Sequence, residues 1–117
     1  MQKQISELLR SKKLLLKNFK TLDTKEFSKK RSYEIYFGVD LDGFFTLVFV
    51  RNAKSRFISK DANELLGLDK IVQEKIDKIV KKRVLFYNSQ MCSKSKKILE
   101  ESEFIFYDFV WYRQYYG

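Results

Sequence analysis

The chain has 117 residues, 44% of them hydrophobic, with no histidine, no proline and a single cysteine, and its formal net charge is +9. This length predicts one domain, because about 100–200 residues is the usual size. The absence of histidine excludes His-based triads, zinc sites and haem ligands, so any metal is expected to be a hard cation such as Mg²⁺ or Mn²⁺. Cys92 has no disulfide partner in the chain, which favours a reducing compartment, and no apolar run approaches the roughly 20 residues that cross a bilayer. We therefore expect a cytoplasmic location.

The positive charge is concentrated in two segments. Residues 1–31 carry ten Lys and Arg against three Asp and Glu, and residues 69–97 carry nine against three. Clustered cations favour a polyanion, because neutralised phosphates release condensed counterions. DNA or RNA is the expected partner, and the alternatives are an acidic protein, an anionic membrane, or charge that serves only solubility. The residues expected to contact nucleic acid are Lys12, Lys13, Lys17, Lys20, Lys29, Lys30, Arg31, Lys78, Lys81, Lys82 and Arg83.

The first half of the chain predicts a helix followed by strands. Apolar residues between Ile5 and Leu22 recur at steps of three and four, which is typical of one helix face and predicts an amphipathic helix over about residues 2–22. Residues 33–39 and 44–50 predict two strands, joined by a turn in which Gly43 is free to adopt a positive φ. Residues 56–59 predict a short third strand.

The second half of the chain alternates helices and strands. A helix is predicted from Asp69, after Gly67, and a strand over residues 84–87. Ser93 is expected to cap a helix that runs through Glu101, and residues 104–107 predict a last strand. The order α-β-β-β-α-β-α-β predicts a single α/β domain with right-handed parallel crossovers and a mixed sheet. An aromatic C-terminal tail follows at residues 109–117, and it is expected to pack on the fold or to form a homodimer contact.

Polar side chains stand at the ends of the two hairpin strands. Asp40 ends the first strand, and Asn52 and Lys54 follow the second. If the strands pair as a hairpin, we expect these ends to lie on the same side of the sheet. Asp40 and Asn52 would then hold Mg²⁺ or Mn²⁺, and Lys54 would orient a water for attack on a phosphodiester. The alternative is ordinary turn chemistry beside a solvated lysine.

The element order, with an Asp at one strand end and a Lys after the next strand, resembles the PD-(D/E)xK nuclease superfamily. Residues 47–50 leading to residues 54–56 are similar to the strand that carries the second half of that motif in resolvase-like members. Residues 82–100, ending at the strand 104–108, resemble the strand, Ser-capped helix and strand that close the Mrr-type restriction endonuclease domain. The resemblance implies a restriction-endonuclease-like sandwich that spans most of the chain.

The same resemblance implies roles for four residues. Asp40 matches the metal-binding aspartate, Asn52 occupies the Glu or Gln position, Lys54 matches the lysine, and Glu7 matches an acidic residue that some members carry on the first helix. Asn52 departs from the family pattern because it is neutral, and lost ligand charge weakens a hard-cation site. The motif is therefore degenerate.

Three functions are consistent with these features. The first is a nucleic-acid-binding protein of nuclease-like fold that cleaves phosphodiesters with Mg²⁺ or Mn²⁺. The second is a non-catalytic nucleic-acid-binding accessory module of the same fold. The third is a protein-interaction domain that uses the aromatic tail.

Overall fold

The computed structural model describes residues 9–10, 16–23 and 33–109. Leu9 and Arg10 are helical. The elements that follow are β1 (Leu16–Leu22), β2 (Tyr33–Asp40), β3 (Phe45–Arg51), α1 (Ser59–Ile76), β4 (Val80–Tyr87), α2 (Ser93–Glu101) and β5 (Ile105–Asp108). The five strands form one sheet in the order β1-β2-β3-β4-β5.

The sheet is mixed, as the sequence predicts. Strands β1, β2 and β3 form an antiparallel meander, whereas β3, β4 and β5 are parallel. Parallel neighbours need crossover connections, and α1 and α2 supply them between β3 and β4 and between β4 and β5. The observed order β-β-β-α-β-α-β confirms the predicted α/β class, although two of the predicted elements differ from the structure.

The predicted helix over residues 2–22 is wrong at its C-terminal part, because residues 16–22 form strand β1. The register of β1 against β2 shifts between Lys17 and Lys20, where one extra residue is inserted and Asn18 adopts φ 52°. A bulge of this kind brings residues three apart onto the same face of a strand. Leu16 and Phe19 therefore pack on one face with a spacing that imitates a helix. Of residues 2–15, the structure describes only residues 9 and 10.

The predicted third strand at residues 56–59 is also wrong, because this segment makes only an isolated parallel bridge between Phe57 and Met91. The Phe57 N–H donates to the Gln90 carbonyl at 2.7 Å, and the Cys92 N–H donates to the Phe57 carbonyl at 3.0 Å. Helix α1 already begins at Ser59, where the Asp61 carboxylate accepts from the Ile58 N–H at 2.9 Å. Gly67 lies inside this helix, which continues through it to Ile76. Among the described residues, no other group packs against the glycine.

The two faces of the sheet bury different sets of side chains. Helices α1 and α2 cover one face, where Ile35, Leu47, Phe49 and Leu85 are fully buried. The opposite face buries Tyr36, Val48, Val50, Val84 and Phe86, packed with Leu9 and Phe109. This two-faced burial is what makes the central strands apolar on both sides.

The described end of the aromatic tail belongs to the second core. The Phe109 ring packs edge-on against Phe86 with centroids 6.4 Å apart, and its N–H donates to the Tyr87 carbonyl at 2.9 Å. Residues 110–117 lie outside the described residues, so a homodimer contact through the tail stays a prediction. Within the described part of the chain, neither helix is long and apolar enough to span a membrane.

Candidate nucleic-acid interface

The structure separates the residues predicted to form a metal site. Val39 pairs with Phe45 beside the hairpin turn, whereas Tyr33 pairs with Arg51 at the far end of the same two strands. Asp40 therefore lies at the turn, and Asn52 and Lys54 follow β3 at the opposite end of the sheet. With a rise of about 3.4 Å per residue, the eight residues from the level of Asp40 to Asn52 separate the two groups by roughly 27 Å. The predicted convergence is wrong because antiparallel strands place the end of one beside the start of the next.

Asp40 holds the turn between β2 and β3 in shape. Its Oδ1 atom accepts hydrogen bonds from the Asp42 N–H at 2.9 Å and from the Phe44 N–H at 2.8 Å. Its Oδ2 atom lies 2.9 Å from the Lys82 ammonium on β4. The turn is closed further by Gly43, which adopts φ 87° and donates its N–H to the Asp40 carbonyl. Both carboxylate oxygens thus have partners within the fold.

These contacts predict that Asp40 stabilises the protein against acid. The Lys82 ammonium, followed by the Phe44 N–H, holds the pKa of Asp40 below its ordinary value of 3.8. Folding thus favours the ionised carboxylate, so this stabilisation is fully present above pH 3.8 and is lost as the pH falls from there through the folded-state pKa. We expect the melting temperature of the wild type to fall more steeply below pH 4 than that of Asp40→Asn, measured by circular dichroism. Asp42→Asn, at an exposed carboxylate of the same turn, is the control and should follow the wild type; identical profiles for Asp40→Asn and the wild type would contradict the assignment.

At the opposite end of the sheet, Asn52 is engaged with a neighbouring loop. Its Oδ1 atom accepts from the Asn88 Nδ2 group at 2.7 Å, while the Asn88 Oδ1 atom accepts from the Ala53 N–H at 3.1 Å. Lys54 is exposed beside this pair. Glu7 lies outside the described residues. Among those described, no three acidic or cysteine side chains converge as metal ligands, so the predicted set of Asp40, Asn52 and Lys54 does not fit a shared Mg²⁺ or Mn²⁺ ion.

Arg51 links the two loops at this same end, which the sequence pattern does not indicate. Its guanidinium donates to the Ser55 carbonyl and the Ser89 Oγ, both at 3.0 Å, and to the Ser55 Oγ at 3.1 Å. It also lies 5.1 Å from the Phe57 ring centroid. The residue is buried, so we assign it a structural role.

Cys92 caps helix α2 beside these loops. Its Sγ atom lies 3.0 Å from the Ser95 Oγ and accepts from the Ser95 N–H at 3.4 Å. These hydrogen bonds lower the pKa of the Cys92 thiol, and the one with the Ser95 hydroxyl has the largest effect. The Ser95 Oγ atom also lies 3.2 Å from the Phe57 carbonyl oxygen, which places the cap against the loop that precedes α1.

The hairpin end of the sheet is where the two basic segments meet. Lys17 pairs with Val39, Val39 with Phe45, and Phe45 with Val80, so one row across four strands joins residues far apart in sequence. At a strand spacing of about 4.8 Å, this row spans roughly 14 Å. We call this end of the sheet the basic tip. It consists of Lys17, Lys20, Leu41, Phe44, Phe45, Lys78, Ile79, Lys81 and Lys82.

Lysines and aromatic rings alternate at the basic tip. The ammonium groups of Lys20, Lys78 and Lys81 lie 5.8, 5.5 and 5.8 Å from the ring centroids of Phe37, Phe45 and Phe44, respectively. The Phe37 and Phe45 rings are stacked with centroids 5.4 Å apart. An ammonium within about 6 Å of a ring face is attracted to it and is thereby positioned. These rings were not predicted as functional residues. The sequence does contain a signal for two of them, because Phe44 and Phe45 directly follow a turn glycine.

Two predicted nucleic-acid contacts are already engaged within the fold. The Lys82 ammonium pairs with Asp40. Arg83 donates to the Asp69 carboxylate at 2.9 Å and to the Ser102 carbonyl, and it packs on the Phe104 ring, so the prediction that it contacts phosphate is not supported. Lys12, Lys13, Lys29, Lys30 and Arg31 lie outside the described residues.

Comparison with solved structures finds proteins of similar fold. EndoMS in a complex with double-stranded DNA is 17% identical, with a TM-score of 0.52, and the match covers 92% of this chain and 44% of that one. For EndoMS in its apo form the identity is 19%, the TM-score 0.55 and the coverages 93% and 46%. A repair endonuclease from Pyrococcus abyssi is 16% identical, with a TM-score of 0.54 and the same two coverages.

The chain therefore spans less than half the length of each of these proteins. No protein-family model matches the sequence, and the search of curated proteins found no match. At these identities the likeness concerns the fold alone. The described residues form an α/β domain with an endonuclease-like fold.

Proposed function

We propose that this domain binds DNA through its basic tip and does so without catalysis at the predicted Asp40, Asn52 and Lys54 set. The observation that carries the proposal is the meeting of two distant basic segments at one end of the sheet, where three ammonium groups are positioned over aromatic rings. Positioned lysines lose less conformational freedom when they contact phosphates, which favours binding.

The dimensions of the tip suit a nucleic acid. The roughly 14 Å row from Lys17 to Val80 is comparable with the ≈ 12 Å width of the DNA major groove, so cations at its two ends can reach separate phosphates. DNA is favoured over RNA because a structure of similar fold, EndoMS, is a complex with double-stranded DNA. Descent from PD-(D/E)xK nucleases with a degenerate motif is part of the same proposal, and the observed element order and the endonuclease-like fold support it.

The proposed binding should depend steeply on salt. If Lys17, Lys20, Lys78 and Lys81 each neutralise one phosphate, the logarithm of the binding constant should fall against that of the salt concentration with a slope of about −3 to −4. That slope corresponds to a loss of about 100-fold in affinity between 50 and 200 mM KCl. Fluorescence anisotropy with a fluorescein-labelled 20-base-pair duplex measures it, and no binding at 50 mM KCl would overturn the proposal.

Asp40→Asn distinguishes binding from catalysis, because it should strengthen DNA binding but would abolish cleavage at a metal site that used Asp40. The amide oxygen still accepts from the turn N–H groups, but the Lys82 ammonium loses its charged partner and a negative charge leaves the basic tip. We expect the duplex to bind about two- to five-fold more tightly, since one more cation is then available for phosphate. The matched variant Asp61→Asn, at the start of α1 on the opposite end of the sheet, should leave affinity within two-fold of the wild type.

The same variant tests the metal expectation. Supercoiled plasmid is incubated with the wild type and with Asp40→Asn, in Mn²⁺ and in EDTA. The proposal predicts a shifted but intact plasmid with both proteins under both conditions. Nicking that requires Mn²⁺ and is lost in Asp40→Asn would instead make Asp40 a metal ligand of a nuclease, and it would overturn the non-catalytic proposal.

A further inference from the structure

Three of the five exposed large apolar side chains among the described residues lie at the basic tip. Leu41 is 62% exposed, Phe44 is 44% exposed and Ile79 is 82% exposed. Leu41 and Phe44 belong to the turn between β2 and β3, and Ile79 precedes β4, whose first residue pairs with Phe45. Exposed apolar groups that are adjacent and surrounded by charge mark a binding surface rather than a gap in packing.

The backbone of Phe44 is held in place by the turn, although its ring is exposed. Its N–H donates to the Asp40 Oδ1 at 2.8 Å, and its carbonyl accepts from the Asp40 N–H at 2.9 Å. Asp40 is in turn fixed by the Lys82 ammonium on β4. The ring is thus presented on a closed turn, so little conformational entropy is lost when a ligand covers it.

The charge around this ring selects the class of ligand. The Lys81 ammonium lies 5.8 Å from the Phe44 centroid, and that of Lys78 lies 5.5 Å from the centroid of the next residue, Phe45. A ligand that covers the ring while contacting these ammonium groups needs a flat apolar face beside an anion. A nucleotide has both, because its base stacks on aromatic rings and its phosphate pairs with lysine.

We infer that Phe44 is a stacking site for an unpaired base and that Lys81 neutralises the adjoining phosphate. In a duplex the faces of the bases are covered by their neighbours, and a phenyl ring has no polar group with which to read their edges. Phe44 can therefore stack only on a base that is unpaired, in a single strand or a loop. This inference rests on the proposed function and names the part of the nucleic acid that one residue of the basic tip recognises.

The test compares one sequence in two forms. A fluorescein-labelled 12-nucleotide strand and the same strand in a blunt duplex are titrated with the wild type and with Phe44→Ala. Loss of stacking should weaken binding of the single strand by about 5- to 100-fold. Binding of the duplex should change less than two-fold, because its lysine contacts remain.

Two matched variants isolate the ring. Phe44→Trp keeps an aromatic face and should bind the single strand as the wild type does. Ile58→Ala removes an equally exposed apolar side chain at the opposite end of the sheet, and it too should stay within two-fold. A single strand carrying 2-aminopurine should lose fluorescence on binding the wild type, since stacking quenches this base, and should not do so with Phe44→Ala. Circular dichroism confirms that each variant is folded.

The outcomes distinguish the two proposals. Equal weakening of single strand and duplex by Phe44→Ala, with no quenching in the wild type, would overturn the stacking site and leave DNA binding intact. Absence of binding to either form at 50 mM KCl would overturn both. Cosedimentation with vesicles of phosphatidylserine and phosphatidylcholine that is lost in Phe44→Ala, without quenching of 2-aminopurine, would overturn the stacking site in favour of a membrane surface.

Discussion

Asp69→Ala is expected to lower the melting temperature by about 12–20 °C, because it breaks an ion pair whose carboxylate is buried at the junction of three elements. Asp69 lies on α1 and is 4% exposed. Its carboxylate lies 2.9 Å from the Arg83 guanidinium on β4 and accepts from Gln73 at 2.9 Å. Removing one partner of such a pair leaves the other charge unpaired and costs about 3–5 kcal/mol. At this chain length, that cost corresponds to a fall of about 12–20 °C in the melting temperature.

The comparison needs a control on the same helix. Glu74→Ala removes an exposed carboxylate of α1 and should shift the melting temperature by only a few degrees. The double variant Asp69→Leu/Arg83→Met should recover most of the loss, since apolar residues of similar volume often replace buried ion pairs without penalty. A melting temperature of Asp69→Ala within a few degrees of the wild type, measured by circular dichroism, would show that the pair does not fasten α1 to the sheet.

Reversing two charges at the basic tip is expected to weaken duplex DNA binding by about 100-fold at 0.1 M salt. Lys78 and Lys81 are exposed, and neither has an acidic partner within ion-pair distance among the described residues. Each phosphate contact contributes nearly tenfold at this salt concentration, and Lys78→Glu/Lys81→Glu removes two and adds repulsion. The salt slope should become shallower by about 2.

The control variant carries the same change of charge at the other end of the sheet. Lys60 lies in the first turn of α1 and Lys94 in the first turn of α2, and both are exposed. Glutamate is favourable at helix N-termini, so Lys60→Glu/Lys94→Glu should fold well. It should lower affinity only slightly, through the change in net charge. Equal losses in the two double variants would indicate that net charge, and not the basic tip, determines binding.

The central strands and α2 are predictable because their signals are local. Residues 33–39 and 44–50 combine β-branched and aromatic residues with turn residues between them, and each strand end in the structure lies within one residue of its predicted position. The crossover order then predicts a mixed sheet. β1 is not predictable in the same way, because its bulge at residues 17–20 turns a strand face into a spacing of three.

The candidate site required information that residue types do not contain. Asp40, Asn52 and Lys54 are the residue types of a metal site, but the antiparallel direction of β2 and β3 places them at opposite ends of the sheet. Likewise, composition does not reveal which cations the fold already neutralises. Arg83 forms an ion pair with Asp69, 14 residues away in sequence, and Lys82 forms one with Asp40 on another strand. By contrast, the ammonium groups of Lys78 and Lys81 lie over aromatic rings.

The bulged strand β1 has a consequence for how the protein behaves when it is concentrated. Among the described strands, β1 and β5 are the two edges of the sheet, and unpaired edges recruit strands from other molecules. The bulge twists the edge of β1 and interrupts the regular spacing of its N–H and C=O groups, and exposed Lys17 and Lys20 flank it with like charge. β5 has only four residues and ends on an exposed aspartate. Both edges therefore resist edge-to-edge aggregation, which a chain so rich in aromatic and β-branched residues would otherwise invite.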